Sequence, residues 1–456
     1  TPTMRAPITA PLVAAVLAAL PQAAFAQTPH PPDSAVRAIL ADRLPGQHGG
    51  GFVVGLLDAD GTRRVVNVGA PADGVFEIGS ITKVFTAAIL ADMVARGQVR
   101  LDDPVAQLLP ATVKVPSRNG RRITLLDLAT QSSGLPRLPT NFAPKDSANP
   151  YADYGDQQLY DFLSGYELPR DPGATYEYSN LGMGLLGHAL ARKAGMSYEQ
   201  LVIRRVLAPL GMKETAITLS PALRARLVPG HGDTGQVVAN WDLAALAGAG
   251  ALRSTVRDML TFLAANLDSS RGPLARPLHE THVSRHAAGS PNMTIGLAWH
   301  ILAPPGGGSI VWHNGGTGGY RSFIGFDPAR GVGVVLLTNS VVGADDIGFH
   351  LLDASLPLRP PPKPRTEVAV DSTFLGRYVG EYELVPAFHI VVTQEGKALF
   401  IQATGQSKVP IFAESETDFF LKVVDAQITF VRDSTGAVTG LVLHQNGRDT
   451  PGRRLP

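Results

Sequence analysis

Cysteine is absent from all 456 residues, which removes disulfides, thiolate metal sites, a cysteine nucleophile and a lipoprotein-type acyl anchor. Charge is scarce as well. Only 17% of residues are charged and the formal net charge is +1 at pH 7, so the chain carries no electrostatic footprint for nucleic acid or an anionic membrane. There is no Gly-x-Ser-x-Gly elbow, which argues against an ordinary α/β-hydrolase esterase. Long apolar runs are also missing. The best candidate, Pro11 to Leu20, is too short to span a bilayer comfortably. It follows Met4-Arg5 and precedes Ala24-Phe25-Ala26, the layout of an export signal cleaved after Ala26. The expected product begins at Gln27, has no stable membrane anchor and is periplasmic or secreted. A large core needs no disulfide staples, so the lack of cysteine is compatible with export.

What is present is a hydrophobic fraction of 44%, with 48 glycines and 36 prolines, the make-up of a large, loop-rich globular protein rather than a helical bundle. Pro32 to Leu44 reads as a first helix. Gly51 to Leu57 and Arg63 to Val68 read as strands, joined by the hairpin signal Asp58-Ala59-Asp60-Gly61. A helical, loop-rich stretch follows to about residue 300, with helices expected over Leu125–Thr130, Asp156–Leu163, Leu181–Ala194 and Val256–Asn266. Strand patterns return at Ile310–His313, Arg321–Phe326 and Val332–Thr338, before a last helix at Ile347–Leu352. Early hairpin, helical insertion and late strands predict an α+β domain. One antiparallel sheet, assembled from both ends, would be flanked by helices beside a mainly helical subdomain. The proline-rich 357–365 reads as a stiff linker. Beyond it, six short strand patterns between Tyr378 and Leu443 predict a second, all-β domain over 366–456, shaped as a small barrel. The expected division is thus 1–26, 27–356, 357–365 and 366–456.

The chemistry is expected at Phe76–Thr86. After Gly79 the apolar residues Ile81, Val84, Phe85, Ala88 and Ile89 recur at helical spacing, with Gly97 as a stop. Ser80 then stands at the helix start with Lys83 one turn on, along the same side. The serine hydroxyl gains free backbone N–H groups for an oxyanion and an amine that can take its proton. Lysine becomes a base only if burial or another cation lowers its pKa from about 10.4 to about 7–8, a shift worth roughly 4 kcal/mol. Alone, Ser-x-x-Lys reads equally as a serine N-cap with a solvated lysine.

Two further motifs alter that balance. Tyr176-Glu177-Tyr178-Ser179-Asn180-Leu181 precedes a helix, and His313-Asn314-Gly315-Gly316 ends a predicted strand in a run that lets a substrate backbone approach closely. The ordered set Ser80-x-x-Lys83, Tyr178-x-Asn180 and His313-x-Gly315 resembles the penicillin-binding-protein and serine β-lactamase superfamily. The branch it is most similar to holds class C β-lactamases with their DD-peptidase and esterase relatives. The likeness covers about residues 33 to 355, including Ile123–Leu128, Ser132-Ser133-Gly134-Leu135-Pro136 and Ala247–Gly250 followed by Arg253-Ser254-Thr255. It implies that Ser80 is acylated, Lys83 accepts its proton and Tyr178 is base or proton relay. Asn180 would bind the substrate's side-chain amide, and the N–H groups of Ser80 and Gly316 would form the oxyanion hole. It also implies a small-molecule or peptide substrate and no cofactor. The C-terminal domain resembles the lipocalin-like modules appended to some of these hydrolases.

His313 departs from the pattern, since many members have a lysine there. A lysine is a permanent cation for a substrate carboxylate, whereas histidine is largely neutral at pH 7. Carboxylate substrates would therefore be expected to gain as pH falls through the histidine pKa, and Arg321 is the nearby alternative partner. Three readings follow: hydrolysis of β-lactams or D-alanyl peptides, a carboxylesterase with the same nucleophile, and an acylatable binding protein with little turnover. His279, His282 and His286 lack zinc-protease spacing and are expected on a solvated helix with no metal.

Overall fold

Hairpin, long helix and late strands fall where the periodicities put them. The computed structural model describes residues 30–268, 270, 272–360, 366–385, 388–404, 408–421, 426–445 and 448–456. The stretch expected to be an export signal and residues 361–365 of the expected linker lie outside them. Helix α1 (Asp33–Arg43) precedes the hairpin β1 (Phe52–Leu57) and β2 (Arg63–Val68). Helix α2 (Thr82–Ala95) is entered through a 3₁₀ turn over Gly79–Ile81. Helices α3 (Leu125–Ala129), α4 (Asp156–Gly165), α5 (Asn180–Ala194), α6 (Val256–Leu267) and α7 (Ala275–Thr281) fill the middle of the chain.

A six-stranded antiparallel sheet closes this part of the molecule. It is built from β3 (His286–Ala287), β4 (Met293–Ile295), β5 (His300–Leu302), β6 (Ile310–Gly316), β7 (Arg321–Asp327) and β8 (Val332–Thr338), adjacent in that order. The early hairpin forms its own two-stranded ladder, but β1 lies along β8 and shares its core. Strand alternation explains how β8 is buried on both faces. Val335 and Leu337 join the cluster containing Leu260 and Leu263 of α6 and the apolar side of α2. Val334 and Leu336 join Val36 and Leu40 of α1 and Ile347 and Leu351 of α8 (Asp345–Leu352). Helix α2 runs through the larger cluster and is buried all round from Thr82 to Met93, as a central core helix must be.

The first linker residues are not free. Arg43 and Asp346 form a buried ion pair at 2.7 Å, the Arg359 N–H donates to Asp346 at 2.8 Å, and Arg43 donates to the Arg359 carbonyl at 2.9 Å. Leu356 and Leu358 pack on the same core. Further on, eight strands, β9 to β16, close an antiparallel barrel between Gly380 and Arg454. Two of them, Val409–Ala413 and Arg448–Arg454, were not expected from sequence. Each contains a proline, which reads as a breaker but fits a strand wherever the ladder needs no N–H. The interior is filled: Tyr378, Tyr382, Phe419 and Phe430 pack there with Ile390, Leu399 and Leu441.

Candidate active site

Ser80 and Lys83 meet because one helical turn separates them, and the surroundings fix the lysine. Its Nζ lies 2.9 Å from Ser80 Oγ, 2.9 Å from Asn180 Oδ1 and 2.7 Å from the Ala249 carbonyl. Two of these partners can only accept. They consume the two N–H groups of a neutral amine and leave its lone pair facing the Ser80 hydroxyl. Burial holds the Lys83 pKa well below its ordinary value, with the charge of Arg137 as a second cause. The side chain is 0% exposed, and no carboxylate is among its partners.

Tyr178 stands over the same point. Its ring centroid is 5.0 Å from Lys83 Nζ and 5.1 Å from the guanidinium carbon of Arg137. Burial pushes the phenol pKa well above 10, opposed by a hydrogen bond with Ser80. The phenol is therefore protonated at neutral pH. The residues around it are clamped by Gln131, whose φ of 58° is a left-handed value for a side-chain-bearing residue. Gln131 accepts the Ser179 N–H with its side chain at 2.7 Å and the Glu177 N–H with its carbonyl at 2.7 Å. Ser179 in turn caps α5 by accepting the Gly182 N–H at 2.8 Å and donates to the Pro136 carbonyl at 2.6 Å.

The third motif arrives on β6. Gly315 lies so close to the segment before Ser80 that a Cβ there would run into the Ile78 carbonyl oxygen. Gly79, at φ 49°, is its counterpart, since a Cβ on it would sit 2.6 Å from the Gly316 nitrogen. Ser322 Oγ donates to the Ile78 carbonyl at 2.8 Å and completes the seam. The main chain of Gly316 therefore abuts that of Gly79, one residue before Ser80.

His313 is fully buried, with its ring 6.3 Å from that of Tyr178. Nδ1 is engaged with the Asn314 carbonyl at 2.6 Å, while Nε2 has no partner among the described residues. Burial, then His300 and Lys83, hold its pKa well below the usual imidazole range. The neutral-range titration expected from sequence is thus displaced to acid pH. His300 was not anticipated: its ring is 5.3 Å from that of His313, and its Nε2 meets Tyr176 Oη at 2.9 Å. Burial and the Lys83 charge lower its pKa to about 4, and burial raises that of Tyr176 to about 12. Arg321 pairs with Gly316 across the ladder, and its guanidinium donates to the carbonyls of Thr317 and Tyr320, each at 2.9 Å.

The solvated histidine helix needs correction. Only His279 lies within α7, and His286 is on β3. His282 packs edge-on against Trp299 and Phe326 at 5.7 and 4.9 Å and meets Asn266 at 2.8 Å. Burial lowers its pKa to about 3. Apolar packing, not solvent, explains it. Among the described residues no group of three histidine or acidic side chains is placed to hold a metal ion.

Residues 36–354 match the family model described as Beta-lactamase. The chain belongs to the beta-lactamase family. This family member is a serine hydrolase of the β-lactamase and D-alanyl-D-alanine carboxypeptidase type. It is 33% identical over 293 residues to the D-alanyl-D-alanine-carboxypeptidase/endopeptidase AmpH of Escherichia coli K12, covering 61% of this chain and 74% of that one. It is 26% identical over 411 residues to penicillin-binding protein 4* of Bacillus subtilis, covering 83% and 87%. Its fold superposes on a class C β-lactamase from Rhodobacter sphaeroides with a TM-score of 0.60 at 25% identity, over 71% of this chain and 98% of the other. Residues 364–454 match a domain of unknown function, DUF3471.

Proposed function

We propose that the chain is an exported hydrolase working through an acyl-enzyme on Ser80, opening β-lactams or cleaving D-alanyl peptide amides. The observation that carries this reading is the buried, carboxylate-free Lys83 amine 2.9 Å from Ser80 Oγ. In the proposed cycle the Ser80 proton passes to Lys83 Nζ as Oγ adds to the carbonyl carbon. The N–H groups of Ser80 and Gly316 receive the oxyanion, and Asn180 holds the acyl-side amide. Tyr178, kept protonated by burial, donates to the departing nitrogen and is reprotonated from Lys83. A water then releases the acyl group along the reverse proton path. Export rests on the Met4-to-Ala26 leader pattern. Among the described residues no helix is long and apolar enough to cross a membrane.

One observation favours a second reading, a carboxylesterase with the same nucleophile. His313 is buried and neutral, so the strand offers no permanent cation to a substrate carboxylate. The deciding experiment labels purified protein with a fluorescent penicillin and a fluorophosphonate, then compares nitrocefin, a D-Ala-D-Ala peptide and p-nitrophenyl acetate as substrates. Ser80→Ala should abolish both labels while retaining the fold by circular dichroism. Undiminished labelling of Ser80→Ala would remove Ser80 as nucleophile, and turnover of p-nitrophenyl acetate alone would select the esterase.

A further inference from the structure

Arg137 follows Pro136 on the loop that steadies Tyr178. Its main chain is committed, because its carbonyl accepts the N–H groups of Asn180 at 3.1 Å and Leu181 at 3.2 Å. Its side chain is not. Arg137 is exposed, rests over the face of Tyr178, and has no carboxylate partner among the described residues. The other basic side chains at the site are occupied: Lys83 is buried with three polar contacts, and Arg321 is turned onto main-chain carbonyls. The charge of Arg137 acts on Lys83, Tyr178, Tyr176 and Tyr151. The groups acting on His313 are instead His300, Lys83 and Asn314. Bonded through its carbonyl to Asn180 and Leu181, Arg137 stands on the Asn180 flank of Ser80. A guanidinium stacked on an aromatic face keeps its edge N–H groups free for a planar carboxylate.

We propose that Arg137 is a specificity-determining arm that receives a carboxylate carried on the acyl side of the substrate. The proposal rests on the serine acyl-transfer reading above, which places the acyl side chain next to Asn180. Acidic peptides and β-lactams with an anionic side chain are the class it selects. Matched pairs test it. Carbenicillin differs from benzylpenicillin by one acyl-side carboxylate, and p-nitrophenyl hydrogen succinate differs from p-nitrophenyl butyrate in the same sense. The ratio of kcat/KM for the acidic member over the neutral one should fall by up to about fivefold in Arg137→Gln, the upper end for an exposed ion pair. It should largely survive in Arg137→Lys and shrink with added salt in the parent. An unchanged ratio in Arg137→Gln overturns the proposal. If the penicillins fail to acylate Ser80, the β-lactam reading fails while the ester pair still decides Arg137. Calorimetric binding of the two penicillins to Ser80→Ala, with and without Arg137→Gln, reads the same contrast without chemistry. Equal affinities there, or no binding at all, also overturn it.

Discussion

Replacing Lys83 with methionine separates a neutral catalytic amine from a merely buried cation. In the unfolded chain the amine titrates near 10.4, while burial holds the folded value well below that. Between the two values the unfolded chain binds one proton more than the folded one, so stability rises with pH across the window. Each unit by which pH falls within it costs the fold about 1.4 kcal/mol. Lys83→Met removes the titrating group, and that slope should vanish from its urea-unfolding free energies. The variant also leaves Asn180 Oδ1 and the Ala249 carbonyl without a donor. At about 1–3 kcal/mol for each buried orphan, it should be less stable than the parent at high pH. The gap should then narrow by about 1.4 kcal/mol per unit as pH falls. The assay is urea denaturation of both proteins at several pH values from neutrality to pH 10, with acylation of Ser80 by a fluorescent penicillin measured alongside. Acylation should drop by about 10²–10⁴-fold in Lys83→Met. Parallel stability curves would refute the reasoning. They would mean that Lys83 keeps its proton in the fold and cannot be the base.

Other consequences are accessible to simple variants. His313→Lys should move preference from neutral esters toward carboxylate-bearing β-lactams at pH 8, by a margin that salt reduces; an unchanged ratio with Ser80 still reactive would assign His313 a packing role. In the parent the carboxylate advantage expected on acidification should be missing around neutral pH, because burial holds the imidazole pKa well below its ordinary value; a pH titration of kcat/KM for nitrocefin against p-nitrophenyl acetate checks this. A chain ending after Pro360 should fold and keep Ser80 reactive, whereas one ending at Ser355 loses Leu356, Leu358 and the Arg359 clamp and should melt lower by differential scanning fluorimetry. Loss of labelling in the longer truncation would show that the barrel is needed to complete the site.

The candidate constellation was legible because the chemistry proposed for it demands particular residues at particular places: a hydroxyl at a helix start, an amine one turn on, glycines at a strand end. The helical and strand periodicities located α2, α5 and β6 to β8 for the same reason. What escaped was set by contacts between distant segments. Tyr176 and His300 meet across 124 positions of sequence, and nothing local announces the pair. His282 was read as solvated because its spacing to His279 and His286 fits no zinc-protease motif, while the rings that pack on it, Trp299 just before β5 and Phe326 on β7, lie outside α7. Arg137 sits one residue past the Ser132–Pro136 stretch that supported the resemblance. Its significance comes only from the Tyr178 ring beneath it. The two unforeseen barrel strands were hidden by their prolines.

The seam between Gly79 and Gly315 bears on how such a site can diversify. The Ser80 segment and the strand are joined main chain to main chain, with the small Ser322 side chain tied into the join. A laboratory search for new substrates therefore has almost no freedom at the centre, where even an added methyl group would push Ser80 away from Gly316. Variation is confined to the walls: the loop bearing Arg137 and the positions flanking His313. The reactive core behaves as a fixed tool whose holder can be reshaped. Libraries restricted to that rim should retain fluorophosphonate reactivity in most members, whereas libraries that touch either glycine should lose it.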